Sequence, residues 1–516
     1  MVIMHEVVIG AGQLSIENVV DIARHNARVT LDARALDDVA ASRAIIEGLA
    51  ADPHPHYGIS TGFGALATTF IEHDRRAQLQ MSLVRSHAAG VGNEVERDLI
   101  RSLMTLRLNT LMTGRTGVRP IVCETYAAVL NAGITPVVRE YGSLGCSGDL
   151  APLAHCALAL LGEGEVRTAS GSIVSAAAAL SDAGITPLDL QEKEGLALIN
   201  GTDGMLGALC LAIADLKKLV TTADIATAMS VEGLMGTDRV FAADLQRLRP
   251  HAGQAISAAN VTNILSESEI VHSHAGPEDG RVQDAYSLRC APQVTGGARD
   301  TIAHAERVAL IELSSAIDNP VLTLDGRVES NGNFHGAPLA YVLDFLAIVA
   351  ADMASMSERR TDRFLDTARN QGLPPFLAHE VGVDSGLMIA QYTAAGLVSE
   401  MKRLAAPASV DSIPSSAMQE DHVSMGWHGA RKLRLSVDAL ARVLGIELVT
   451  AARGLDLRAP LAPSPTSRAV IALLRESGVG GPGSDRYLSP ELEVAGSLVA
   501  SGEVRNRAVG VLPDLV

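Results

Sequence analysis

A chain of 516 residues, 47% hydrophobic and 20% charged, is long enough to bury a large core and to fill about two to four domains of ordinary size. Its formal net charge of −17 argues against nucleic acid or an anionic membrane as partner, because both need clustered Lys and Arg. Five scattered cysteines, none in a CxxC pair, argue against a disulfide framework and against the common zinc pattern; no metal is expected, and a reducing, cytoplasmic setting is.

The N-terminus, MVIMHEVVIG, lacks the basic region and apolar run of a secretory signal, and no uninterrupted apolar stretch is long enough to span a bilayer. Ser15 precedes Ile16, Val19, Val20 and Ala23, an apolar face at helical spacing behind an N-cap residue. Up to about Gly204 the chain is broken often by Gly and Pro, with loops at 52–64 and 142–152. From there it changes character. No proline occurs between Pro187 and Pro250, and 206–235 is rich in Ala and Leu. Further helices are predicted over 300–315 and 430–453. A long one follows Pro338, with Val342, Phe345, Leu346, Val349, Met353 and Met356 as its buried stripe and Asp344, Asp352 and Ser355 between them. Alternation of the strand kind is rare. The expected fold class is mainly α: a mixed, loop-rich N-terminal domain over 1–204 and a long-helix bundle with a C-terminal helical region over 205–516. Helices of this length often pack against other subunits.

The segment GSLGCSGDLAPLAH, Gly142 to His155, carries the chemistry. A phosphate loop would need GxGxxG or a following Lys-Ser/Thr, and neither is present. A serine nucleophile at Ser147 would need glycine where Asp149 stands. Its candidate base, His155, lies roughly 12 Å along a helix at about 1.5 Å per residue. Autocatalytic cyclisation fits the residue types. The Gly148 amide nitrogen attacks the Cys146 carbonyl, and one water leaves. The Ser147 hydroxyl then leaves as a second water, giving an exocyclic methylidene. Gly148 lets the backbone bend, and Cys146 contributes only backbone atoms.

This segment resembles the signature of the aromatic amino acid ammonia-lyases and aminomutases, whose prosthetic group is methylidene imidazolone (MIO). Most members carry Ala where Cys146 stands. The resemblance extends over YGISTGFG (57–64), SHAAGVG (86–92), NGTDG (200–204), QDAYSLRCAPQVTG (283–296), IDNP (317–320), NGNFHG (331–336) and QEDHVSMG (419–426). It implies a mainly α homotetramer whose sites draw on several subunits, no diffusible cofactor, and an MIO made from Cys146-Ser147-Gly148.

The resemblance also implies roles. Tyr57 is the base that takes the β-proton, on a glycine-containing lid. Asn200 and Tyr286 lie beside the prosthetic group and Gln283 binds substrate, with Tyr286 and Gln283 at three-residue steps from Arg289 and so on its face if this stretch is helical. Arg289 clamps a carboxylate, which a guanidinium matches in shape. Phe334 flanks the prosthetic group. His87 and Glu420 hold the substrate ring. The pair suits an imidazole, since a phenyl ring would leave both unpaired, and so implies L-histidine converted to urocanate and ammonia. A tyrosine or phenylalanine ammonia-lyase, or an aminomutase, is the alternative. Each residue also has an ordinary structural reading: a packed loop tyrosine, a satisfied histidine, a helix cap, an ion-paired arginine.

Overall fold

Helices make up most of the described chain, and strands occur only as short pieces joined in twos and threes. The structure is a computed structural model and describes residues 5–62, 69–145, 148–276 and 282–516. Among them no strand exceeds four residues, so the apolar surface is hidden by helix against helix. Glu6–Ile9 pairs in parallel with Arg28–Leu31, and the Ile16–Arg24 helix joins them. That helix starts as its sequence predicts: Ser15 and Asn18 form a reciprocal capping box.

The chain divides into two compact units, each drawn from three stretches: 1–214, 306–344 and 407–431 in the first, and 215–305, 345–406 and 432–516 in the second. In the first unit the Arg97–Leu111 helix is buried almost all round, including the side chains of Arg101 and Arg107. Arg101 donates to the carbonyls of Ile22 (3.0 and 3.2 Å) and Leu130 (3.1 Å). These lie in the last turns of two helices, where carbonyls have no partner within the helix. Burial still pushes the Arg101 guanidinium down to about 10. In the second unit Gly233 and Gly454 both lie against the ring of Phe364, where an added Cβ would come within 2.7 and 2.6 Å of it. Nearby, Glu447 accepts from Ser230 and from Arg360 inside the same core.

The long helix predicted after Pro338 spans Ala337–Leu365, but its buried face differs from the predicted stripe. Phe345 is exposed, while Asp344 is buried and accepts from the Ser409 amide at 2.8 Å. A satisfied carboxylate can enter a core, and period alone does not reveal that partner. Although no uninterrupted apolar run is present, this helix is long and apolar enough to cross a membrane by length and composition; 61% of its apolar window is buried in the protein.

Candidate active site

The described residues on the N-terminal side of Cys146 are strapped to neighbours through hydrogen bonds to their backbone carbonyls. Ser424 Oγ donates to Gly145 O at 2.8 Å, the Met425 amide donates to Leu144 O at 2.8 Å, and Trp427 Nε1 donates to Glu140 O at 2.8 Å. Gly148, at φ +80°, bridges Gly201, and the Asp149 amide donates to Gly201 O at 2.6 Å. A Cβ on Gly148 would lie 1.9 Å from Gly201 O, so no side chain fits there. Gly201 is held to glycine by its own neighbours, since a Cβ there would lie 2.6 Å from the Arg107 guanidinium. Cys146 and Ser147 lie outside the described residues, as does Gly64 of the expected lid.

Asp149 is a supporting residue that sequence reasoning missed. Its carboxylate does not cap the Leu150–Leu160 helix that follows it. It accepts instead from Ser143 Oγ (3.0 Å) and from the Met205 amide (2.9 Å) in the first turn of the Asp203–Gly233 helix. Full burial pushes its carboxyl up to about 7, against the pull of these bonds. His155 is engaged elsewhere: its Nε2 accepts from the Gly90 amide at 3.1 Å, which uses the lone pair a Ser147 base would need.

Asn200 ends the short Glu194–Ile199 helix and is buried. Its Nδ2 donates to Asn319 O at 2.8 Å, while its buried Oδ1 has no hydrogen-bond partner among the described residues. Tyr57 is half-buried in a turn, and its neighbour Gly58 lies close to this corner: a Cβ there would meet Leu196 at 3.0 Å and Pro320 at 3.1 Å. Phe334 is half-buried in the 331–336 turn, where Asn331 Nδ2 donates to Asp318 O at 3.0 Å.

His87 closes the Arg76–His87 helix. Its Nδ1 lies 2.9 Å from Leu83 O, an acceptor only, so Nδ1 carries the proton and Nε2 keeps a lone pair. Burial lowers the His87 pKa, while the Leu83 carbonyl and the Glu420 carboxylate pull it back up. The structure thus brings the two expected ring contacts within electrostatic reach of each other. Glu420 Oε2 accepts from Ser415 Oγ at 3.0 Å, which orients it.

The remaining three candidates belong to the second unit. Tyr286–Arg289 is a single helical turn with the Arg289 guanidinium 4.6 Å from the centre of the Tyr286 ring, as the three-residue step predicts. The buried Arg289 Nε has no hydrogen-bond partner among the described residues. Gln283 precedes the turn and does not share its face; it lines a recess with Arg289, Thr237, Arg239 and His274.

The family described as aromatic amino acid lyase matches this chain over residues 14–476. A histidine ammonia-lyase of Streptomyces griseus is 61% identical over 503 residues, 97% of this chain and 98% of that protein. One from Streptomyces avermitilis is 60% identical over 99% of this chain and all of that protein. Among solved structures, a tyrosine aminomutase of Streptomyces globisporus matches with TM-score 0.92 at 37% identity, covering 98% of both chains. A histidine ammonia-lyase of Trypanosoma cruzi matches with TM-score 0.89 at 36% identity, covering 98% of this chain and 95% of the other.

Proposed function

Since the chain belongs to the aromatic amino acid lyase family, we propose that it is an ammonia-lyase that converts L-histidine to urocanate and ammonia. One observation carries the choice of substrate: a His87 tautomer whose Nε2 accepts, set beside the Glu420 carboxylate. Together they offer acceptors for the N–H of a neutral imidazole, or for both N–H groups of an imidazolium, and have no use for a phenyl ring. The names borne by its curated relatives support the same reading.

The prosthetic group is MIO made from Cys146-Ser147-Gly148. Two features of the protein fit it: a Gly148 seat that a Cβ would fill, and the orphaned Asn200 Oδ1 one residue before Gly201. When formed, the group supplies the electrophile that makes ammonia a better leaving group. The chain supplies the rest. Arg289 takes the carboxylate, Gln283 joins it in binding the substrate, and Tyr286 stands with Asn200 beside the prosthetic group. His87 and Glu420 hold the ring, and Phe334 packs against the group. Anchoring both ends of the substrate brings its β-carbon to Tyr57, which removes the proton.

The working form is a homotetramer, in keeping with apolar side chains exposed along single helices: Tyr341, Phe345 and Ile348 on one, Ile389 and Tyr392 on another. Free Cys123, Cys156, Cys210 and Cys290 fit a reducing cytoplasm. The test is a urocanate assay on histidine, with tyrosine and phenylalanine as controls, together with the mass of the 146–148 peptide. Expected are turnover of histidine and a peptide lighter by two waters. Turnover of tyrosine alone overturns the substrate, and a linear peptide in an active enzyme overturns the electrophile.

A further inference from the structure

Behind Asn200 lie four buried charged side chains, Arg107, Lys193, Asp203 and Asp318, two cations and two anions. Lys193 Nζ donates to Asp318 Oδ2 at 2.5 Å, and Arg107 Nε faces Asp203 Oδ2 at 3.3 Å. Burial raises the Asp318 carboxyl and lowers the Lys193 ammonium, each countered by the other's charge. A buried ion pair gives little net stability, because desolvation consumes most of the Coulomb gain. Its value lies in geometry, and the geometry here is specific.

Lys193 and Asn200 sit at opposite ends of the Glu194–Ile199 helix. Both reach the same dipeptide. Lys193 binds the Asp318 side chain, and Asn200 Nδ2 binds the carbonyl of Asn319. Arg107 adds a third link by donating to Ala197 O (3.0 Å) and Asn200 O (2.9 Å) on the helix side and to Ile317 O (3.0 Å) on the other. Lys193 holds this place in a left-handed backbone, φ 73°, which a non-glycine residue adopts only at a cost. Because the Asn319 carbonyl can only accept, the Asn200 amide is fixed with Nδ2 toward it, and Oδ1 is the atom left over.

We propose that Lys193 and Asp318 are positioning residues for Asn200: a charge-neutral staple that sets the place of the Asn319 carbonyl and, through it, the orientation of the Asn200 amide in the active site. This rests on the reading of Asn200 as a site residue. Losing Lys193 alone would strand the Asp318 carboxylate, so the telling variant removes both charges, Lys193→Met with Asp318→Asn. Its melting temperature and subunit assembly should match the parent's, and its 146–148 peptide should carry the parent's mass. Its kcat should fall about tenfold to a hundredfold at a KM within about threefold, the usual cost of a misplaced group. A crystal structure should show the contact from Asn200 Nδ2 to Asn319 O lengthened or lost.

A kcat within twofold of the parent overturns the proposal. So does a loss of kcat that merely tracks a loss of folded protein or of cyclised peptide, which is a structural role. Should the double variant not fold, Asp318→Asn alone keeps an oxygen for Lys193 and must show the lower kcat by itself; parent-like kcat there also overturns the proposal. A parent enzyme inactive on histidine refutes the substrate reading only. The staple is then judged on the amino acid the parent does deaminate and on the Asn200–Asn319 contact.

Discussion

Asn200 and His87 lie in the same compact unit and are held in different ways. Asn200 is buried, braced by four buried charges, and leaves one polar atom unused. His87 is half-buried at a helix end, fixed by one carbonyl, and faces a carboxylate across a distance. The first arrangement admits almost no change, because each partner lost leaves another buried and unsatisfied. The second can be retuned by single substitutions without disturbing a core. The proposed roles thus put the reaction common to the family at one end of the site and the choice of ring at the other.

The largest effects belong to the reaction end. Ser147→Ala removes the leaving hydroxyl and should abolish urocanate formation, with the peptide mass showing no loss of two waters and the melting curve close to the parent's. Parent-like turnover in this variant breaks the proposed chemistry. Gly148→Ala should abolish activity too, and should cost about 2 kcal/mol or more in denaturant melts, since its Cβ meets Gly201 O and φ is +80°. An active, parent-stable alanine variant would show that the seat is not tight.

Effects at the recognition end should be smaller and should show in KM. Glu420→Gln should lower kcat/KM for histidine roughly tenfold to hundredfold, the worth of a hydrogen bond to a charged group, with most of the change in KM. An equal fall in kcat at constant KM would move Glu420 to the reaction end and blur the comparison.

Acidity separates the two ends by sign. The buried Asp149 carboxyl, raised to about 7, adds stability that is complete below about pH 4 and is lost as pH rises through about 7. His87, lowered below its usual 6.5, acts the other way. Its share of stability is present above about 6.5 and is lost as pH falls toward its folded value. Asp149→Asn should flatten the slope of melting temperature between about pH 4 and 7. The KM for histidine should rise below about pH 6.5, and His87→Gln should reduce that rise by about threefold; the free substrate's own titration is common to both enzymes. An unchanged acid limb in His87→Gln would remove His87 from ring binding.

Much of this was legible in the chain. The Ser15 cap, the long helices after Gly204 and the scarcity of strands follow from capping chemistry and apolar period, which are local. The blocks around 57, 87, 147, 200, 289, 334 and 420 were readable as a family pattern. Asp344 was not readable as buried, because the Ser409 amide that satisfies it comes from 65 positions away. Gln283 was placed on a helical face that begins only at Tyr286. In sequence Asp149 only rules out a serine elbow, and its buried carboxylate serves the helix that begins at Asp203.

By itself, then, the order of residues determined which segments become helices, which tripeptide has the groups to cyclise, and which side chains are of a kind to bind a ring or a carboxylate. These are properties of neighbours along the chain. Only the tertiary structure decided that Lys193 reaches Asp318, that Arg107 grips the carbonyls beside Asn200, and that Gly148 lies against Gly201. Buried polar groups must find partners wherever the fold brings them. Such partners stand 53, 93 and 125 residues apart here, so no local pattern can announce them.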